Sequence, residues 1–242
     1  MKLKSTLLSL LTLSFVFSGP LYSAPKKKVD DPHQTAGGFF DLHVCNWPDR
    51  PLFFLALFST TQFDNVASVE VVSPAGQSLG TLNLERYKVV KKKGKPEKRI
   101  FITQIPVPKG AKDGWYLGKV TLRNGRRYEA RDRVLIQSMG RASNIRPAHE
   151  SQNIPLPKEL RWDAIPGAKY YKVYIRDLWN DGKLIHTSKF INTPRYILPK
   201  GLLQKDGWYA WRIHARDVNE DVELGDFNHG SLNTEANFTT KR

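Results

Sequence analysis

Between residues 37 and 137, short apolar runs rich in Val, Ile, Phe, Tyr and Thr alternate with polar turn signals. A period of two sends alternate side chains to opposite faces of a strand. Runs of this kind lie at 53–59, 67–72, 79–84, 99–105, 115–122 and 127–136. Between them stand Ser73-Pro74-Ala75-Gly76, Lys93-Gly94-Lys95-Pro96, Pro108-Lys109-Gly110 and Asn124-Gly125. Asn-Gly between alternating runs predicts a tight hairpin, because both central residues of that turn need positive φ. No stretch keeps a helical 3.6-residue period for three turns, so this segment is predicted to be all-β.

The polar residues 138–157, with Gly140, Pro147 and Pro155, read as an interdomain linker. A second unit follows at 158–242. Leu160-Arg161-Trp162 leads to the turn Ile165-Pro166-Gly167-Ala168 and then to the run Tyr170-Tyr171-Lys172-Val173-Tyr174-Ile175. Thr193 to Pro199, the pair Leu203 and Tyr209, the run Trp211-Arg212-Ile213-His214-Ala215 and a closing Phe238-Thr239-Thr240 complete the order. Over residues 158–240 this resembles a fibronectin type III domain. The resemblance implies an immunoglobulin-like β-sandwich in which Leu203 and Tyr209 form the tyrosine corner. It implies no particular ligand, since the fold hosts many functions.

One phrase occurs twice: Lys112-Asp113-Gly114-Trp115-Tyr116 and Lys205-Asp206-Gly207-Trp208-Tyr209. Ala-Arg-Asp follows each, at 130–132 and 215–217, but at different separations. The repeated turn-and-strand entry predicts a second sandwich at 37–137, by duplication or by convergence on a good turn. The expected fold is therefore all-β, two tandem immunoglobulin-like sandwiches after an N-terminal signal peptide.

That signal is read at 1–23. Lys2 and Lys4 precede an apolar run from Leu7 to Phe17, then Gly19-Pro20 and small residues at Ser23 and Ala24. The run is shorter than the roughly 20 residues a membrane-spanning helix needs, so cleavage after Ser23 is expected, with an uncleaved anchor as the alternative. Residues 24–36, with Lys26, Lys27 and Lys28, read as a basic tether. The expected location is periplasmic or secreted, with no transmembrane segment in the mature chain.

Composition sharpens this picture in two places. The single cysteine, Cys45, excludes an internal disulfide and reads as a buried, inert thiol. The net charge of +15 is uneven: residues 36–150 hold 19 basic and 10 acidic side chains, and residues 151–242 hold 14 and 11. Arg86, Lys88, Lys91, Lys92, Lys93, Lys95, Lys98 and Arg99 fall within fourteen residues around a Gly-Lys-Pro turn, which predicts a hairpin with a basic tip. Arg123, Arg126, Arg127, Arg131 and Arg133 are expected to extend it. Such a patch suits an anionic polymer; the plain alternative is a lysine-protected edge strand that keeps the chain soluble. Tyr87 is the only aromatic residue in the run, which argues against a base-stacking platform for single strands.

No nucleophile elbow, zinc-protease motif, phosphate-binding glycine loop or Cys-x-x-Cys occurs. The histidines (33, 43, 149, 186, 214 and 229) are dispersed; His43 and Cys45 share a strand face but lack further ligands nearby. Residues 217–223 have calcium-like acidic spacing, but Val222 stands where such a loop needs Gly, and Asn228 where it needs Glu. No catalytic residue, metal or cofactor is expected. The expectation is an exported non-enzymatic interaction or structural module of the cell envelope. Its expected partner is an envelope protein or an anionic surface polymer (lipopolysaccharide or a cell-wall polymer), not intracellular nucleic acid. The alternatives are an accessory subunit of a secretion or adhesion complex, and a carbohydrate-active enzyme with a dispersed carboxylate pair.

Overall fold

In the computed structural model the chain is described over residues 31–218 and 227–242. The signal at 1–23, the first half of the tether and most of the acidic loop lie outside the described residues. Nine strands come first: β1 (Gln34–Thr35), β2 (Gly38–Asn46), β3 (Phe53–Thr60), β4 (Val66–Val72), β5 (Ser78–Thr81), β6 (Tyr87–Val90), β7 (Lys98–Pro106), β8 (Gly114–Leu122) and β9 (Arg127–Val134). A short 3-10 turn, Phe63–Asn65, connects β3 to β4. Strand bounds follow the predicted runs closely.

These strands make two layers. One is β6-β7-β3-β2 and the other β5-β4-β8-β9, all neighbours antiparallel. In sequence order this is the ABED and C′CFG arrangement of an immunoglobulin-like sandwich. Phe40, Leu42 and Val44 of β2 and Phe54, Ala56 and Phe58 of β3 fill the space between the layers, with Val69 and Val71 of β4, Tyr116 and Val120 of β8 and Ala130 of β9 opposite. Each large side chain so buried contributes about 1.5–3 kcal/mol. Gly118 lets the ring of Phe40 lie against the backbone of β8; a Cβ there would come within 2.5 Å of the ring.

Eight further strands follow: β10 (Ser151–Ile154), β11 (Glu159–Arg161), β12 (Tyr170–Asp177), β13 (Lys183–Thr187), β14 (Arg195–Ile197), β15 (Trp208–Arg216), β16 (His229–Leu232) and β17 (Ala236–Thr240). The layer β13-β12-β15-β17-β10 faces the small pair β11–β14 across a second core that includes Leu160, Trp162, Tyr171, Val173, Trp211, Ile213 and Phe238.

Both copies of the repeated phrase end on a buried phenol bonded back to the preceding backbone, although their turns differ, with Asp206 at φ 54° in one and Gly114 at φ 154° in the other. Tyr209 Oη accepts the Gln204 amide at 2.9 Å, and Tyr116 Oη donates to the Lys112 carbonyl at 2.9 Å. The two phenols thus close tyrosine corners in separate cores. The Ala-Arg-Asp echo is different. Its first copy lies on β9, one strand beyond the corner, and its second ends β15, the corner's own strand. The two are not equivalent positions.

The stretch 138–157, expected as a linker, is tied down along its length. Met139 enters the second core, Arg146 pairs with Arg161, and β10 runs parallel to β17. Asn46 Nδ2 donates to the Met139 carbonyl at 2.9 Å, and Ser231 Oγ to the Gly140 carbonyl at 2.6 Å. The end of the expected tether is also fixed: the Phe40 amide donates to the His33 carbonyl, and the Arg131 amide to the Pro32 carbonyl.

The two halves share one sheet. Strand β16 pairs antiparallel with the end of β15 and parallel with β2, setting His229, Gly230 and Ser231 beside Val44, Cys45 and Asn46. Strand β2 is also buried on both faces. Its even positions enter the first core, whereas Asp41, His43 and Cys45 on the other face are also buried. The same holds for the end of β15, where Ile213 and Ala215 enter the second core and His214 and Arg216 are buried opposite.

Candidate basic interface

The β6–β7 hairpin pairs Tyr87 with Phe101, Lys88 with Ile100, Val89 with Arg99 and Val90 with Lys98. Beyond the last pair, the Lys95 amide donates to the Lys92 carbonyl at 3.1 Å and Gly94 takes φ 72°, a left-handed turn that glycine adopts without strain. Lys91, Lys92, Lys93 and Lys95 stand exposed at this tip, with Arg86 and Lys88 exposed along β6.

The eight predicted residues divide by role. Arg99 is half-buried, its guanidinium carbon 3.9 Å over the Phe63 ring and 4.4 Å over the Tyr87 ring. It also lies 3.7 Å from Glu97 and 3.9 Å from Asp64. Arg99 therefore staples the hairpin to the 3-10 turn. Lys91 Nζ pairs with Glu97 at 3.1 Å, a carboxylate within the run whose role sequence reading missed. Lys98 is half-buried.

Asp64 joins two tips. Arg123, at the turn between β8 and β9, donates from Nε to the Asp64 carbonyl at 3.1 Å, while the Asp64 carboxylate faces Arg99. The β8–β9 tip, closed by Gly125 at φ 82°, brings exposed Arg126 and Arg127 to the same end of the sandwich. Arg131 and Arg133 lie farther down β9, and Arg131 is set 5.0 Å over the Trp115 ring. A residue missed in the sequence also contributes. Burial lowers the pKa of the Lys172 ammonium on β12, and the nearby charges of Arg216 and Lys88 lower it further. Positive charge from the second half thus reaches Lys88. A shallow groove of about 350 Å³ beside the hairpin is lined by Glu85, Arg86, Tyr87, Lys88, Ile102 and Gln104. A larger one, about 830 Å³ between residues 144 and 161, involves none of the hairpin.

The other concentration of titratable groups is buried. His43 Nε2 lies 2.6 Å from Asp41, and the His43 ring packs 3.9 Å from Phe227. Asp132 accepts the Leu42 amide at 2.8 Å and lies 3.2 Å from His33 Nε2. The hydrogen bond to Asp132, more than any other contact, raises the His33 imidazole to about 9. Burial pushes the Asp132 carboxyl up; it pushes Asp41 the same way, but His43, His33 and Asp132 together outweigh it and hold Asp41 down. Asp41 and Asp132, 3% and 4% exposed, direct their oxygens to His43, His33 and a backbone amide.

Cys45 is fully buried beside Phe53 and Phe227, and burial pushes its thiol up to about 12, which keeps it protonated and unreactive. Asp217, the first carboxylate of the calcium-like loop, accepts the Val218, Asn228 and His229 amides and faces His229 Nδ1 at 2.7 Å. Its oxygens are committed to the base of the loop; residues 219–226 lie outside the described residues. Burial drives the His214 imidazole well below its usual value. Among the described residues no group of three or more His, Cys, Asp or Glu side chains is placed to hold a metal ion. No helix among them is long and apolar enough to cross a membrane.

No family model matches the chain, and no curated protein matches it in sequence. Several solved structures align over most of it. Dimeric latent PorU from Porphyromonas gingivalis aligns with 86% of this chain at 12% identity and a TM-score of 0.29. A titin fragment of several domains covers 83% at 12% identity and 0.25, and this chain spans 62% of that fragment. The SGBP-B protein of the mixed-linkage glucan utilization locus of Bacteroides ovatus, solved with a mixed-linkage heptasaccharide, covers 81% at 14% identity and 0.23, this chain spanning 42% of it. The chain spans a fifth of PorU's length. At such TM-scores these likenesses carry no weight for fold or function, and the strand order and tyrosine corners above stand on the chain's own geometry.

Proposed function

We propose that this is an exported, non-enzymatic binding module of the cell envelope that holds an anionic polymer, such as lipopolysaccharide or a cell-wall polymer, on the basic end of its first sandwich. One observation carries the reading: the β6–β7 and β8–β9 tips converge through Asp64, presenting Lys91, Lys92, Lys93, Lys95, Arg126 and Arg127 on one end. The acidic residues in those tips and the turn between them are Asp64 and Glu97. Clustered exposed cations release counterions on meeting a polyanion, so affinity falls steeply with salt. The second half, read as a sandwich of the fibronectin type III kind, would serve as a rigid partner, since β16 welds it to β2. The leading segment is read as a cleaved export signal, which places the polymer outside the cytoplasm.

The test uses heparin and purified lipopolysaccharide as probes. The protein should bind both at low salt, and Lys93→Glu with Lys95→Glu should reduce the slope of log affinity against log salt by about 1.5. Absence of binding at low salt, or an unchanged slope in the folded double variant, would overturn the reading.

A further inference from the structure

The phrase that supplies the second tyrosine corner also exposes a tryptophan, and a turn not used elsewhere in the fold brings another against it. Trp179 is 68% exposed and Trp208 36% exposed, and their rings meet edge to face, centroids 5.4 Å apart at 68°. Trp162 and Trp211 fill the neighbouring core at 4% and 1% exposure, and neither Trp179 nor Trp208 joins them there. Two exposed indoles in contact outside the core form a contiguous apolar patch, unlike single exposed apolar residues, and such patches mark binding surfaces.

The pair is rigid. Trp179 Nε1 donates to the Asp206 carbonyl at 3.2 Å, and its amide donates to Asp177 Oδ1 at 3.0 Å. The Leu178 amide donates to the Trp208 carbonyl at 2.8 Å. The turn closes through Asp181 and Gly182 at φ 51° and 67°, with the Lys183 amide donating to the Asn180 carbonyl and Arg176 Nη1 to the Gly182 carbonyl. A ring held this way loses little freedom when a ligand stacks on it.

We infer that Trp179 and Trp208 form a stacking site for a neutral, pyranose-based glycan, independent of the basic end. Size and charge select that occupant. Two ring faces fall far short of the roughly 1,000 Å² that a specific protein interface buries, and the exposed residues beside them, Asn180, Asp181, Lys205 and Asp206, are polar. Charges close by balance: Arg242 pairs with Asp206 at 3.5 Å and Arg176 with Glu235 at 3.8 Å, and Asp181 and Lys205 are of opposite sign. That leaves little field to attract a polyanion. A pyranose presents an apolar C–H face the size of an indole, ringed by hydroxyls that suit Asn and Asp side chains. Two rings set at 68° offer separate platforms, as successive sugars of a twisting chain require.

The test is calorimetric titration of the full chain with neutral hexasaccharides of β-1,4-glucose, β-1,4-N-acetylglucosamine and α-1,4-glucose, followed also by tryptophan fluorescence. At least one should bind. Trp179→Ala should weaken it about tenfold or more, Trp179→Phe should retain most of the affinity, and Lys93→Glu with Lys95→Glu should leave it unchanged. No binding by any of the three, or equal binding by the folded Trp179→Ala protein, would overturn the inference. So would a Trp179→Ala effect confined to self-association in sedimentation, which would make the pair a contact between copies.

Discussion

Arg99 separates what holds the basic hairpin in place from what the hairpin offers a ligand. Arg99→Ala removes a guanidinium stacked on two rings at 3.9 and 4.4 Å. Such contacts are worth about 0.5–1 kcal/mol when exposed and about 2 when desolvated, and this side chain retains 26% exposure. The ion pairs at 3.7 and 3.9 Å are long and partly solvated, and together add less than about 1 kcal/mol. The expected loss is therefore about 2 kcal/mol. For a unit of this size that is a drop of about 4–8 °C in Tm. Urea unfolding followed by tryptophan fluorescence, with calorimetry alongside, gives the stability, and heparin retention gives the binding. Arg99→Ala should lose stability yet keep most of its heparin affinity. The Lys93→Glu, Lys95→Glu protein should do the reverse, staying within about 0.5 kcal/mol of the parent. If Arg99→Ala is as stable as the parent, or loses heparin as severely as the tip variant while folded, the division of roles is wrong.

Tyr116→Phe and Tyr209→Phe each delete one corner hydrogen bond without opening a cavity, so each should cost about 1–1.5 kcal/mol by urea unfolding. Lying in separate cores, the two losses should add within about 0.5 kcal/mol; strong coupling would argue against independent corners. His33 is raised in the folded state to about 9. Its contribution should be fully present below about pH 6.5 and fade as pH rises through 9. His229 is raised as well, with its Asp217 hydrogen bond the leading cause, and acts in the same direction. Comparing the parent with His33→Gln at pH 6 and pH 9.5 isolates the first residue, and an equal decline in both proteins would remove it as the cause.

The chain's own order of residues determined what depends on near neighbours. Alternation at 170–175 predicts a strand because a pleated strand with one buried face has a period of two. The unbroken apolar run at 53–59 suits a strand covered on both faces, and Gly94 and Gly125 mark turns because their backbone needs positive φ. Tyr209 was expected as a corner residue from the fibronectin type III resemblance, whereas the repeated phrase pointed to a second sandwich without marking Tyr116 as its corner. What only the tertiary structure decided involves a second partner. Backbone edges carry the same donors and acceptors whatever the side chains, so nothing local announces that β16 will pair with β2. The side chains that period two places on an outer face are covered by residues distant in sequence: Phe227 lies against His43, His214 and Arg216, and His33 and Asp132 stand beside Asp41. Met139 in the second core and β10 beside β17 likewise make an expected linker part of the fold. The basic run was equally visible as composition, but the role of each cation was not. Arg99 and Lys93 look alike in a charge count, and they differ because only Arg99 has Phe63 and Tyr87 beneath it, rings supplied from 36 and 12 residues away in the chain.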